Sequence, residues 1–182
     1  RIYRSNTGSN TTNFQFVKEV SLATASTTDN LNNDALAEII PSTYWIAPPD
    51  DDTSTYPNGQ MLGLTAMANG IFAGFSGKRI CFSEPFLPHA WPVAYRITLE
   101  EEIVSIAMAG QVLFIATKGT PYIAAGTDPQ SMSVVRMEAA QACLNKESLV
   151  NMGGLAIYAS PDGLVGVSGS EISVITDGLI TP

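Results

Sequence analysis

The segment 81–92, CFSEPFLPHAWP, carries the only histidine of the chain, His89, with Glu84 five residues before it. An imidazole beside a carboxylate is the minimum for general acid–base work, because one group can take up the proton that the other releases near neutral pH. To become a catalytic centre the pair needs a nucleophile, a second carboxylate or metal-ligand spacing, and none accompanies it. The prolines Pro85, Pro88 and Pro92 forbid regular helix or strand and hold the segment extended, while Phe82, Phe86, Leu87 and Trp91 load it with apolar surface. The structural reading therefore takes precedence: Phe86 and Trp91 pack across a sheet face, and His89 hydrogen-bonds the backbone.

The other clusters fare no better as chemistry. Asp50, Asp51 and Asp52 bring three carboxylates together, but a calcium loop alternates oxygen donors around a turn glycine and closes on a bidentate carboxylate. Three adjacent acids read as a solvated loop. Glu100, Glu101 and Glu102 likewise fall on a turn between strands. Cys81 and Cys143 sit in apolar or mixed runs without C-x-x-C spacing, so they read as free buried thiols with no disulfide framework. No catalytic residue, metal or cofactor is expected.

The elements around these residues are strands. Residues 148–176 divide into apolar runs at 148–152, 155–160, 164–168 and 171–176, separated by Gly153-Gly154, Pro161-Asp162-Gly163 and Gly169-Ser170. Each gap tolerates positive φ or presets a turn, which makes the stretch a four-stranded meander. The pattern recurs upstream: 62–68, 71–76, 78–83 and 94–99 form one copy, and 103–108, 112–117, 121–125 and 133–138 a second. First-turn glycines Gly70, Gly110 and Gly154 lie 40 and 44 residues apart, and second-turn glycines Gly77, Gly119 and Gly163 lie 42 and 44 apart. Four strands in that span is the period of a β-propeller blade. Ile71, Phe72, Val112, Leu113, Phe114, Ile115, Leu155, Ile157 and Tyr158, on inner and middle strands, are expected to be buried.

Ahead of the repeats, residues 1–4 and 14–20 alternate apolar and polar residues as two sandwich strands would, and 24–29 (TASTTD) reads as a third. Residues 32–40 (NNDALAEII) could form a helical turn or two, capped by Asn33 or Asp34 and ended by Pro41. The Pro- and Asp-rich remainder up to residue 60 reads as a linker laid on something, with Tyr44 and Trp45 as its bulky anchors. The chain opens at Arg1, inside a strand-like run and without Met, and reads as part of a longer polypeptide.

Composition sets the bounds. Of 182 residues, 45% are hydrophobic and 14% charged, enough to bury a core. Net charge is −8 with only nine Lys and Arg, which argues against a tight nucleic-acid surface, since that affinity rests on clustered cations. No apolar run approaches the ~18 residues of a membrane span, so no membrane insertion is expected.

Two phrases carry a resemblance. The run LTAMANGIFAGFSGKRICFSEPFLPHAWP, followed by TDPQSMSVVRMEAAQACLNKESLVNMGGLAIYASPDGLV, resembles virion proteins of tailed bacteriophages, closest to the tail nozzle (tail tubular protein B) of short-tailed phages. SEPFLPHAWP and YASPDGLV are its most specific parts. IYRSNTG, FQFVKEV and TASTTD resemble the final strands of a fibronectin type III domain. The resemblance implies a structural, non-enzymatic tail component in the virion, assembled in the bacterial host cytoplasm. It implies a ring of copies of itself, expected to be hexameric, beside adaptor and fibre proteins, with DNA passing only transiently through the conduit.

The fold expected is therefore all-β: fibronectin-like strands at 1–30, a linker at 31–60, and at 61–182 three four-stranded blades (61–99, 103–138 and 148–176) of a larger propeller. Tyr44, Trp45, Phe86 and Trp91 are the candidate interface residues, because aromatics on rigid loops anchor contacts at low entropic cost. The alternatives are a glycan-binding or glycan-degrading propeller and a non-viral propeller scaffold. A sialidase Asp-box fails at Ser160-Pro161-Asp162-Gly163, where the Gly comes one residue early and no aromatic follows.

Overall fold

A computed structural model describes residues 1–7, 12–40, 46–50, 52–54 and 56–179. They divide between two compact units, Arg1–Tyr44 and Trp45–Pro182. The fold is all-β, with four antiparallel sheets joined by loops and short 3-10 turns and no α-helix among the described residues.

In the first unit, β1 (Ile2–Thr7) pairs with β2 (Thr12–Lys18) as a hairpin. Period-two alternation puts Tyr3 opposite Phe16 on one face, where their rings meet edge to face at 5.7 Å. The expected third strand at 24–29 is not one. TASTTD has almost nothing apolar to bury on a sheet face, and its last residue, Asp29, is drawn to Arg4 instead at 2.8 Å. Residues 37–40 take the place beside β2: Phe16 N–H donates to Glu38 O at 2.8 Å and Ile40 N–H to Phe14 O at 2.7 Å. The helix expected over 32–40 shrinks to a single 3-10 turn, Asn33–Ala35, whose N-cap Asn32 makes no side-chain cap bond. Asn33 Oδ1 accepts from Arg4 at 3.0 Å. The first unit thus reaches past the boundary expected at residue 30.

The second unit holds three sheets, each with four strands. The first comprises β3 (Leu62–Ala66), β4 (Phe72–Ser76), β5 (Arg79–Phe82) and β6 (Arg96–Thr98). The second comprises β7 (Ile103–Ala109), β8 (Val112–Thr117), β9 (Tyr122–Ala125) and β10 (Ser133–Arg136). The third comprises β11 (Val150–Asn151), β12 (Ala156–Ser160), β13 (Gly163–Ser168) and β14 (Glu171–Val174). In each, spatial order follows chain order. The β3–β4 connection contains Asn69 at φ 57° and Gly70 at φ 67°, left-handed positions that only Gly, Asn and Asp adopt readily.

Each second strand ends on a buried hydroxyl residue, Ser76, Thr117 or Ser160. Strand alternation then fixes which face each sheet turns to its neighbour. Leu113 and Ile115 of β8 meet Ala73, Phe75, Ile80 and Phe82 of the first sheet in one core. Phe114 and Ala116, pointing the other way, meet Ala156, Tyr158, Val165 and Val167 of the third in another. The second sheet is covered on both faces, which is why β8 reads as an unbroken apolar run. The first strand of the second sheet, β7, lies against the first strands of the other two, β3 and β11.

Five of the nine residues expected to be buried are so: Ile71, Leu113, Phe114, Ile115 and Tyr158. Phe72, Val112, Leu155 and Ile157 are only half-buried. Leu155 and Ile157 point to the side of the third sheet away from the second, Phe72 points to the opposite side of the first, and Val112 starts its strand.

The face of the first sheet turned away from the second carries a strap formed by residues 46–50, 52–54 and 56–61. Ser76 Oγ donates to Gly59 O at 2.7 Å and Arg96 Nη2 to Ala47 O at 3.2 Å, while the Arg96 guanidinium lies 5.7 Å from the Tyr56 ring centroid. Met61 lies over Gly74, where a Cβ would come within 2.6 Å of its sulfur. Under this strap Cys81 is fully buried, and burial pushes its thiol up to about 11.

Candidate functional site

The proline-braced segment after β5 is held by backbone bonds at every turn. Ser83 N–H donates to Phe72 O at 2.8 Å, Glu84 N–H to Ala90 O at 2.9 Å, Ala90 N–H to Leu87 O at 3.0 Å and Trp91 N–H to Ile46 O at 2.8 Å. Pro85, Pro88 and Pro92 have no N–H to satisfy, so a compact loop costs few hydrogen bonds. Trp91 roots the loop: it is 1% exposed and its indole N–H donates to Pro88 O at 2.9 Å. The sequence could not separate the root from the tip.

Phe86 is the tip. Its side chain is 76% exposed, its backbone sits at φ 60°, and its N–H donates to Gly70 O at 2.8 Å. The ring rests on Gly70, where a Cβ would fall 2.4 Å from it, so the missing side chain of the turn glycine makes the seat. A phenylalanine held in left-handed backbone and in solvent is costly twice over, and such strain concentrates at functional positions.

Of the other aromatic candidates, Tyr44 and Trp45 lie outside the described residues. His89 and Glu84 are both half-buried on the loop. The carboxylates of the acidic run are spent on their own turn: Asp50 Oδ1 accepts from Asp52 N–H, and Asp52 Oδ1 from Ser54 N–H, each at 3.0 Å, with Asp51 outside the described residues. Glu100 and Glu102 pair with Arg136 and Lys118 at 3.2 and 2.8 Å, as exposed pairs worth little energy. Among the described residues no group of three His, Cys, Asp or Glu could hold a metal ion, and no helix is long and apolar enough to cross a membrane.

Two apolar surfaces escaped the sequence reading. One is a groove of about 640 Å³ where Leu62, Ile103 and Val104 at the strand starts meet Leu144 and Pro161, rimmed by Lys118 and Lys146. Its residues come from the first two sheets, the connector after β10 and the β12–β13 turn, so no local pattern announces it. The other is the side of the third sheet facing away from the second, where Leu164 and Ile175 stay 44% and 46% exposed. There Ile175 leans over Gly166, whose missing Cβ leaves the room. The periodicity of β12 did signal this face, since Ile157 alternates with the buried Tyr158.

No protein-family model matches the chain, and no curated protein matches it.

Proposed function

We propose that this chain is a structural, non-catalytic component of a bacteriophage tail, similar to a tail nozzle, and that its three repeated sheets are blades of a β-propeller. The observation that carries the reading is the uniform packing: the second and third sheets each turn the same face to the sheet before them, and the first strand of the second sheet, β7, lies against those of both others. That is how blades fan around an axis. Three blades do not close a ring, since propellers have typically four to eight, and the apolar side of the third sheet is suited to receiving another. The SEPFLPHAWP and YASPDGLV phrases point to a virion, and the acidic balance suits a wall that passing DNA does not stick to.

Contacts with neighbouring subunits are assigned to rigid, exposed apolar residues, above all Phe86, and in solution to a ring of like copies. The test is mass spectrometry and electron microscopy of purified particles from the parent phage. The protein should be present in stoichiometric amount and its density should form a ring in the tail. Absence from mature particles overturns the reading, as does a glycan-cleaving activity that His89→Ala abolishes while assembly stays intact.

A further inference from the structure

We infer that the open face of the third sheet binds the same face of a second copy of this chain, as a two-fold symmetric dimer. Strand alternation turns Ala156, Tyr158, Val165 and Val167 toward the second sheet, so Val150, Ile157, Leu164 and Gly166 point the other way. Leu155 and Ile175 close over Gly166, whose missing Cβ leaves the room, and join these residues into one apolar surface. Val150, Leu164 and Ile175 stay 51%, 44% and 46% exposed on it. Of the strand residues on this side only Glu171 is charged, and it lies at the edge, opposite Ser168. Two such faces can therefore meet without burying a charge at their centre.

The packing of the second unit decides what covers this face. Within the chain, sheets cover sheets: the second closes the inner side of the first, and the third closes the far side of the second. Continuing that stack head to tail in a second copy requires the outer face of its first sheet, and that face is shut. Met61 lies over Gly74, Cys81 beneath the strap is fully buried, and Arg96 ties the strap to the proline loop through Ala47 O at 3.2 Å and Trp91 O at 2.9 Å. Among the described residues of the second unit, the sheet face left open is that of the third sheet. Sheet stacking between copies must then be isologous, with each copy presenting the same residues. The pair forms one stack of six sheets, strapped at both ends. This inference rests on the stacking and is independent of the virion reading.

The test is analytical ultracentrifugation of the full chain from micromolar to millimolar concentration, where a reversible monomer–dimer equilibrium is expected. Leu164→Lys and Leu164→Glu should each weaken dimerisation by about tenfold or more, because each buries an unpaired charge in the contact. Neither should lower the melting temperature of the monomer, since the side chain is half-exposed there. Mixed in equal amounts the two variants should recover the dimer, because an isologous contact sets their opposite charges on facing surfaces. Ile175→Lys with Ile175→Glu repeats the experiment if the Leu164 variants melt lower. A chain that stays monomeric throughout overturns the inference, as does association that the charge variants leave unchanged. So does a mixture of the variants that stays monomeric, because the face would then meet a different surface.

Discussion

The rings of Phe114 and Tyr158 stack with centroids 5.3 Å apart and planes inclined by 29°. They are 44 residues apart, the same interval that separates Gly110 from Gly154, and a Cβ on Gly154 would sit 3.9 Å from Gly110 Cα. The onward face of the second sheet and the backward face of the third thus meet through this ring pair.

Phe114→Ala should therefore cost on the order of 3–5 kcal/mol, because it empties a fully buried site between two sheets. Tyr158→Phe keeps the ring and removes only the 2.7 Å bond to Gln141 O, so about 1 kcal/mol is expected. Glu171→Ala, exposed at a strand start, should stay within about 0.5 kcal/mol. Denaturant midpoints rank the three, and any other order means that the two sheets do not meet through these rings.

Thr117→Val tests the hydroxyl at the end of the second strand. Thr117 Oγ1 donates to Thr120 O at 2.8 Å and accepts from Gly119 N–H at 3.1 Å, fully buried. Valine keeps the shape and leaves both partners short of a bond, so about 1–3 kcal/mol should be lost. A neutral substitution would mean that the turn is held by packing alone.

Gly70→Ala and Phe86→Gly should have opposite signs. Alanine at φ 67° is strained and pushes the Phe86 ring off its seat, for a loss of about 1–2 kcal/mol. Glycine in place of Phe86 relieves the left-handed strain, so stability should hold or rise by up to about 1 kcal/mol while association in the particle fails. If Phe86→Gly instead unfolds the chain, the ring is a structural cover and not a contact.

Cys81 should make stability fall in alkali. Its thiol is raised by burial from an ordinary 9.0 to about 11. Below pH 9 folded and unfolded chains are both protonated at this group, and its contribution is fully present. As pH rises from 9 toward 11 the unfolded chain releases a proton that the folded one keeps, and stability drops by at most about 1.4 kcal/mol per pH unit. Burial raises the Tyr158 phenol too, adding a loss of the same sign from about pH 10 upward. Chemical denaturation from pH 8 to 10.5 checks this; a flat profile, or a slope unchanged in Cys81→Ala, would show that the thiol is not sealed.

What the sequence made legible was dictated locally. Asn69-Gly70 is a turn because few residues accept its backbone angles, and Leu113, Phe114 and Ile115 can stand together only in a strand covered on both sides. Long-range choices were not legible. Ala35, Leu36 and Glu38 favour helix, yet the free edge of β2 draws residues 37–40 into an extended pairing that overrides propensity. Trp91 and Phe86 are both aromatics of one loop, and only the position of the Ile46 and Pro88 carbonyls makes one the root. Tyr122 alternates with Ala124 as any core residue would, and nothing in that pattern announces that its buried hydroxyl has no hydrogen-bond partner in the protein.

Four antiparallel strands return the chain to the level at which it entered, so each sheet of the second unit starts and finishes at the same end. Tension applied through the backbone would then unzip each ladder one pair at a time, the weakest way to load a sheet. Contacts such as that of Phe114 with Tyr158 run crosswise, from sheet to sheet. In a tail wall of the kind proposed, pressure from within would be borne as hoop stress through these side chains, while a pull along the axis would find the least resistance.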